Sequence, residues 1–316
     1  MRVESGEVQK YIMLDSIVRR YPWLSIHHPI GVRESRHFHY RFPGFIRKLT
    51  DPWSMIGYAA LIHGFLFMLA VVGFQHILPS ASPLFLPFLT PLGTPIAVAF
   101  LHSILYWAML IGICNYSILL IGRDFETRTW DYLRVTPLAS GELLKAKFAT
   151  VFRTWSPILR MLVLTRLFTL VTIPLAIAYR QDNVPVSLGF NLVGAFVFIA
   201  QPLADAFMVA TLSAMSAAMI RNMAWAKVGA YGIIAAVYGA INGLGSLWLI
   251  FKSPLGALAG VLVPLGHWAP LASTLAPSAT TSDFALRMGA TVLFYLLMPL
   301  LIGILAFRAT NRMALR

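Results

Sequence analysis

The chain has one cysteine, Cys114, in 316 residues. That excludes an intramolecular disulfide and any metal cluster built from several thiolates. Acidic residues are also scarce, 12 Asp and Glu against 25 Lys and Arg, and charged residues of both signs make up only 12% of the sequence. About a quarter is usual for a soluble domain, so water is not the main solvent of this chain. No GxxxxGK[ST] loop is present to cradle nucleotide phosphates, and neither HExxH nor GxSxG occurs. The motif grounds for an ATPase, a zinc protease or a serine hydrolase are therefore missing. Internal repeats and low-complexity tracts are absent as well.

What the sequence does have is long apolar runs: 58% of its residues are hydrophobic and its mean hydropathy is +0.74. A membrane helix needs about 20 predominantly apolar residues, and six stretches meet that length: 53 to 78, 95 to 122, 157 to 179, 187 to 219, 224 to 250 and 287 to 307. Lys and Arg fall almost wholly between them on one side. Nine lie before residue 53, six between 123 and 155, two between 221 and 227, and three after 307, which places 20 of the 25 together. Basic residues stay on the cytoplasmic side during insertion. The expected protein is all-α, a multi-pass protein of the cytoplasmic (inner) membrane with six transmembrane helices and both termini cytoplasmic. Its parts would be a cytoplasmic segment over 1–52, a membrane domain over 53–308 and a cytoplasmic tail over 309–316. The net charge of +13 follows from this topology and needs no nucleic-acid partner. Juxtamembrane clusters such as Arg41, Arg47 and Lys48 suit anionic lipid headgroups instead.

The first 52 residues are too polar for a signal-peptide core, so the first apolar span is the expected insertion signal. Within them, Val8, Tyr11, Ile12, Ile17, Val18 and Tyr21 fit one helical face. That helix either lies on the inner membrane surface or packs on protein. His27, His28, His37 and His39 follow, with no Cys, Asp or Glu at a ligand spacing that would make them a zinc site. Of the outer loops, 79–94 carries four prolines and no charge, and 251–286 is long, rich in Pro, Gly, Ser and Thr, and apolar through Leu255 to Leu271. Backbone dipping into the bilayer there has to be shielded by protein or line a cavity.

Residues 123–147, RDFETRTWDYLRVTPLASGELLKAK, form a charged elbow between two apolar runs, continuing as a cytoplasmic segment to 155. Its pattern predicts one helix through Phe125 to Val135, halted by Pro137, and a second from Ser140, with Ser140 as N-cap and Glu142 in the first turn. The elbow either docks a soluble partner or packs on its own helix ends. Its run Arg123, Thr129, Trp130, Asp131, Leu133, Thr136, Pro137, Leu138, Glu142 and Lys147 resembles the elbow of type-two ATP-binding cassette (ABC) permeases, the membrane subunits of ABC exporters. Asp131 stands where Glu is usual, and Ala146 where Gly is common. HPIGVRESR at 28–36 is similar to the family's Asn-Pro-Val-Leu-x-Arg-Glu-Leu-Arg segment with His28 in place of Asn, and LSAMSAAMIRNMAWA at 212–226 looks like its small-residue fourth span and basic turn. The resemblance implies a permease dimer, with a second copy or a homologue, coupled to separate ATPase subunits that hold the ATP and Mg. No cofactor or metal is expected on this chain itself. The implied ATPase-docking residues are Phe125, Glu126, Thr129, Trp130, Tyr132 and Arg134.

Inside the spans, Asp205 in QPLADAFMV is the lone acidic residue, beside Gln201 and Pro202. An intramembrane charge is costly, so it either faces a cavity with a function or is paired with Arg160, Arg166 or a backbone donor. At ~1.5 Å per residue, Asp205 lies roughly 22 Å from the inner end of its span and Arg166 roughly 13 Å from its own, so a direct pair requires a shifted or broken helix. Asn115 and Tyr116 on the second span, with Tyr231 and Asn242 on the fifth, are the expected translocation-path residues. GLGS at 243–246 is suited to close helix packing. A different class also stays open: His76 and His102 come at similar depths and would hold a haem in a redox or structural subunit of a larger membrane complex.

Overall fold

A computed structural model describes residues 93–130, 140–180, 192–250, 270 and 281–315. Among these residues every regular element is helical. In chain order they are α1 (Gly93–Glu126), α2 (Ser140–Arg180), α3 (Leu192–Ile220), α4 (Met223–Ile250), α5 (Thr281–Val292), a π-helical turn over Leu293–Leu297, and α6 (Met298–Leu315). Four segments are long and apolar enough to cross a membrane: His102–Glu126, Leu192–Ile220, Met223–Leu244 and Met288–Ala314. They correspond to the second, fourth, fifth and sixth expected spans. The third lies within α2, whose apolar part carries Arg160 and Arg166 and which is not among the four. The first span, the histidine-rich segment and the expected outer loop up to residue 92 lie outside the described residues, as does all of 251–286 except Pro270 and the start of α5; Gly93 and Thr94, expected in that loop, already belong to α1.

The centre of the bundle is α3, which packs against α1, α2, α4, α5 and α6. Its inner faces are built from small residues, with Ala204, Ala206, Ala210, Ser213, Ala214 and Ala217 all buried. Small side chains let helix backbones approach closely where lipid provides no hydrophobic drive for association. The same device works from the other side at Gly303 of α6, where an added Cβ would stand 2.6 Å from the Phe207 ring. At Gly112 of α1 an added Cβ would stand 1.9 Å from the Trp155 ring of α2, so the indole lies flat on a glycine.

Two local chemistries set the helix ends. Between α3 and α4 the turn is only Arg221 and Asn222. Arg221 takes a left-handed φ of 55°, and the Asn222 side-chain oxygen accepts the Ala224 and Trp225 amides at 3.1 and 3.2 Å, capping α4. Ser216 then donates across to the Ala226 carbonyl at 2.9 Å and closes the hairpin. In the last helix, Pro299 has no N–H to give the carbonyl four residues earlier. The π turn immediately precedes it, with the Met298 amide reaching back to the Leu293 carbonyl.

Basic ends meet at one side. Gly122 of α1 lies beside Met223 of α4, Gly141 of α2 beside Asn311 of α6, and Trp130 beside Ala314. Arg123, Arg128, Lys145, Lys147, Arg221, Lys227, Arg308 and Arg312 therefore gather at one end of the bundle. This is the grouping that the hydropathy pattern requires.

Candidate functional site

The elbow begins where α1 stops. The predicted helix through Phe125 to Val135 does not form as one piece: α1 ends at Glu126, and Arg128 adopts a left-handed φ of 56° before helix resumes at Thr129. Side-chain bonds accompany the break. Thr127 returns both its amide, at 2.9 Å, and its hydroxyl, at 2.8 Å, to the Arg123 carbonyl, and the hydroxyl also pairs with Thr129 at 2.7 Å. The second elbow helix does start at Ser140, with Glu142 in its first turn, but runs on unbroken into the third apolar stretch as far as Arg180.

Two buried contacts fasten this corner. Lys147 of α2 is fully buried, and its ammonium bonds Asp124 at 2.7 Å and the Leu120 carbonyl at 2.6 Å. The carbonyl lies in the last two turns of α1 and takes the lysine as an additional donor, so the ammonium holds both the carboxylate and the backbone of that helix. Trp130, 2% exposed, donates its indole N–H to the Ala314 carbonyl at 2.9 Å and stacks on Phe125 with ring centroids 4.8 Å apart. Of the six residues expected to dock a partner, Glu126 is exposed, Phe125 and Thr129 are half-buried, and Trp130 faces inward. Tyr132 and Arg134 lie outside the described residues. Among the described residues of the elbow, Arg123, Glu126, Thr127, Arg128, Glu142 and Lys145 are exposed to a partner.

The second constellation lies inside the bundle. Asp205 of α3, 2% exposed, accepts the hydroxyls of Tyr106 from α1 and of Tyr238 from α4, the latter at 2.7 Å, and the two tyrosines also touch each other. Three helices thus close on one carboxylate. Arg160 is exposed and folds back on Ser156. Arg166 is fully buried and donates to the Phe198 carbonyl and, at 3.2 Å, to Gln201, one helical turn from Asp205. Pro202 explains that geometry, because it lacks the N–H that would bond the carbonyl four residues back, which is that of Phe198. The guanidinium fills the vacancy. It also lies 4.4 Å from the centre of the Phe198 ring and 5.5 Å from that of Tyr106. Its Nε and second terminal nitrogen have no hydrogen-bond partner among the described residues.

Beside this polar knot opens a cavity of about 560 Å³ between α1, α3 and α4, lined by Trp107, Leu110, Ile111, Cys114, Tyr231 and Tyr238 among others. Of the expected translocation residues, Tyr231 is on its wall. Tyr116 and Asn242 are buried, Asn115 is half-buried, and none of the three lines it. Asn242 instead donates to the Tyr238 carbonyl of its own helix at 2.9 Å. Trp107, Ile111 and Tyr238 went unpicked in the sequence, although Trp107, Ile111 and Cys114 recur at one-turn spacing, as do Tyr231, Ala235 and Tyr238. His102 bonds Thr165 through Nε2 at 2.6 Å, and His76 lies outside the described residues.

These features define a helical, multi-pass membrane protein with a buried charged knot and a fastened polar corner. Compared with protein families, curated proteins and solved structures, the chain finds no match in any of the three.

Proposed function

We propose that the chain is the permease subunit of an ABC transporter in the cytoplasmic membrane, with six spans, both termini in the cytoplasm and a second permease copy or homologue as partner. ATP and Mg are held by separate ATPase subunits that dock on the elbow. The observation that carries this reading is the fastening of that elbow. A corner that relays a push has to be stiff, and here it is tied to α1 and α2 by the buried Lys147–Asp124 pair and to α6 by the Trp130 indole. The charged groups Glu126 and Arg128 remain outward for a partner.

The test is isolation in mild detergent, identification of co-purifying chains by mass spectrometry, and an ATP-hydrolysis assay of the complex. The expected result is a nucleotide-binding chain with turnover that is lost together with its association in a Glu126→Arg, Arg128→Glu variant. Stable partners without any nucleotide-binding chain would sink the transporter reading. Trp130→Ala is the wrong probe, because the indole is internal and its loss loosens the fold itself.

A further inference from the structure

We infer that the cavity between α1, α3 and α4 is a binding site for an uncharged, apolar molecule taken up sideways from the bilayer. Its depth comes first. Gly122 and Met223 stand at one level, since an added Cβ at Gly122 would lie 3.3 Å from the Met223 side chain. Counted from that level at ~1.5 Å per residue, the wall residues of α1 run from Cys114 to Trp107 and those of α4 from Tyr231 to Gly239, both roughly 12 to 24 Å inward. That band lies within the roughly 30 Å hydrocarbon core of a bilayer. Ile111 and Tyr231 at the mouth are exposed, so the opening faces lipid rather than an aqueous end.

The chemistry of the walls excludes charge. Leu110, Ile111, Val209 and Ile234 are among the walls, and Trp107 and Tyr238 meet at 5.2 Å with their planes tilted by 59°, forming an aromatic corner. The polar atom nearest the deep end, the Tyr238 hydroxyl, is already committed to Asp205 and Tyr106. A charged ligand would find no partner and would lose its hydration, whereas hydrocarbon loses nothing. The volume falls within the range of about 300 to 1,000 Å³ typical of small-molecule pockets. This inference depends on the permease reading only for calling the occupant a substrate; the binding itself does not.

Two glycines on α4 make the test possible. Gly239 lines the cavity and Gly232 does not, and at neither does an added Cβ meet any atom within 4 Å. The first carbon of a side chain thus has room at both positions, so Gly239→Leu puts bulk at the wall of the site and Gly232→Leu is the matched control. The chain alone, with no ATPase present, is reconstituted in phosphatidylcholine vesicles carrying either a phosphatidylcholine with a mid-chain diazirine or a small uncharged aryl diazirine. After illumination the adducts are mapped by mass spectrometry. Adducts at Trp107, Ile111 and Ile234 should exceed those at the lipid-facing Leu301 and Leu305 by about tenfold, fall to their level in Gly239→Leu and persist in Gly232→Leu. Enrichment with the lipid probe assigns an acyl chain, and enrichment with the aryl probe alone assigns a free apolar molecule. Labelling no stronger than at Leu301 overturns the inference. So does a mass measurement showing that Gly239→Leu splits a dimer, because a second copy would then fill the cavity. A chain that purifies without an ATPase yet keeps this labelling pattern would sink the transporter reading and leave the site standing.

Discussion

At the scale of single residues, the bundle depends on a few charges buried with their partners. Removing the Lys147 ammonium would take its ion-pair partner from Asp124, itself 4% exposed, near the end of α1. Breaking a buried pair from one side costs about 3–5 kcal/mol, whereas replacing both partners with apolar groups is often neutral. Lys147→Met should therefore destabilise the protein strongly, and Lys147→Met with Asp124→Leu should recover much of the loss; thermal unfolding in detergent gives the order. At Asp205, an asparagine retains an acceptor for the tyrosine hydroxyls and a leucine does not. The two hydroxyls also bond each other, so the leucine takes away the carboxylate acceptor but leaves that bond, and a buried hydroxyl that loses its acceptor costs about 1–3 kcal/mol. Melting temperatures should fall from wild type to Asp205→Asn to Asp205→Leu, and equal values for the two variants would show that the hydroxyl bonds contribute nothing. Asp205 stood out in the sequence because an acid inside a span is rare. Its partners did not, since Tyr106 and Tyr238 are 132 positions apart and look like ordinary core aromatics.

At the scale of elements, the proline in α3 and the arginine in α2 form one unit. Pro202→Ala would return an N–H to the Phe198 carbonyl and displace the guanidinium, while Arg166→Met would leave the carbonyl bare. Each should destabilise alone, and together they should cost less than their sum, with a coupling of about 0.5–3 kcal/mol in a double-mutant cycle. Simple additivity would mean that the bond between Arg166 and Phe198 is not used. Packing predicts a second effect: Gly112→Val drives a side chain into Trp155. Overpacking of this kind costs about 1–3 kcal/mol, and Trp155→Leu should relieve it, as read by the same melting assay. The helical class and the apolar stretches that became α1, α3, α4 and α6 were legible because twenty-residue apolar runs have few other uses. The break at Thr127 and Arg128 was not, because it turns on one residue taking a left-handed φ, and neither Gly nor Pro marks the place. The proline in QPLADAFMV was visible, but the group that answers it comes from another helix.

At the scale of the whole molecule, the grouping of basic residues makes a topological prediction. In a Cys114→Ser background, single cysteines at Glu126, Arg221 and Arg312 should all react with a membrane-impermeant maleimide from the same side, and one at Arg180, at the far end of α2, from the other. Mixed sidedness among the first three would break the topology on which the permease reading depends. The asymmetry of Lys and Arg made this end legible from sequence alone. The cavity was only partly so: two of its three helices were expected, but Asn115, Tyr116 and Asn242 were chosen for polarity, whereas the wall is made of apolar and aromatic side chains. Lipid-phase chemistry favours those groups, and a search for hydrogen-bonding residues passes over them.

The bond from Trp130 to Ala314 spans 184 positions and joins the elbow to the end of α6. During synthesis α1 and α2 leave the ribosome long before α6, so the indole has no acceptor for most of the time the bundle is being made. The corner is held on one side by Lys147 early and on the other only after the last helix has inserted. If the elbow receives an ATPase as proposed, the last helix has to be made before the corner is complete, and a ribosome stalled before α6 would expose a corner fastened on one side alone.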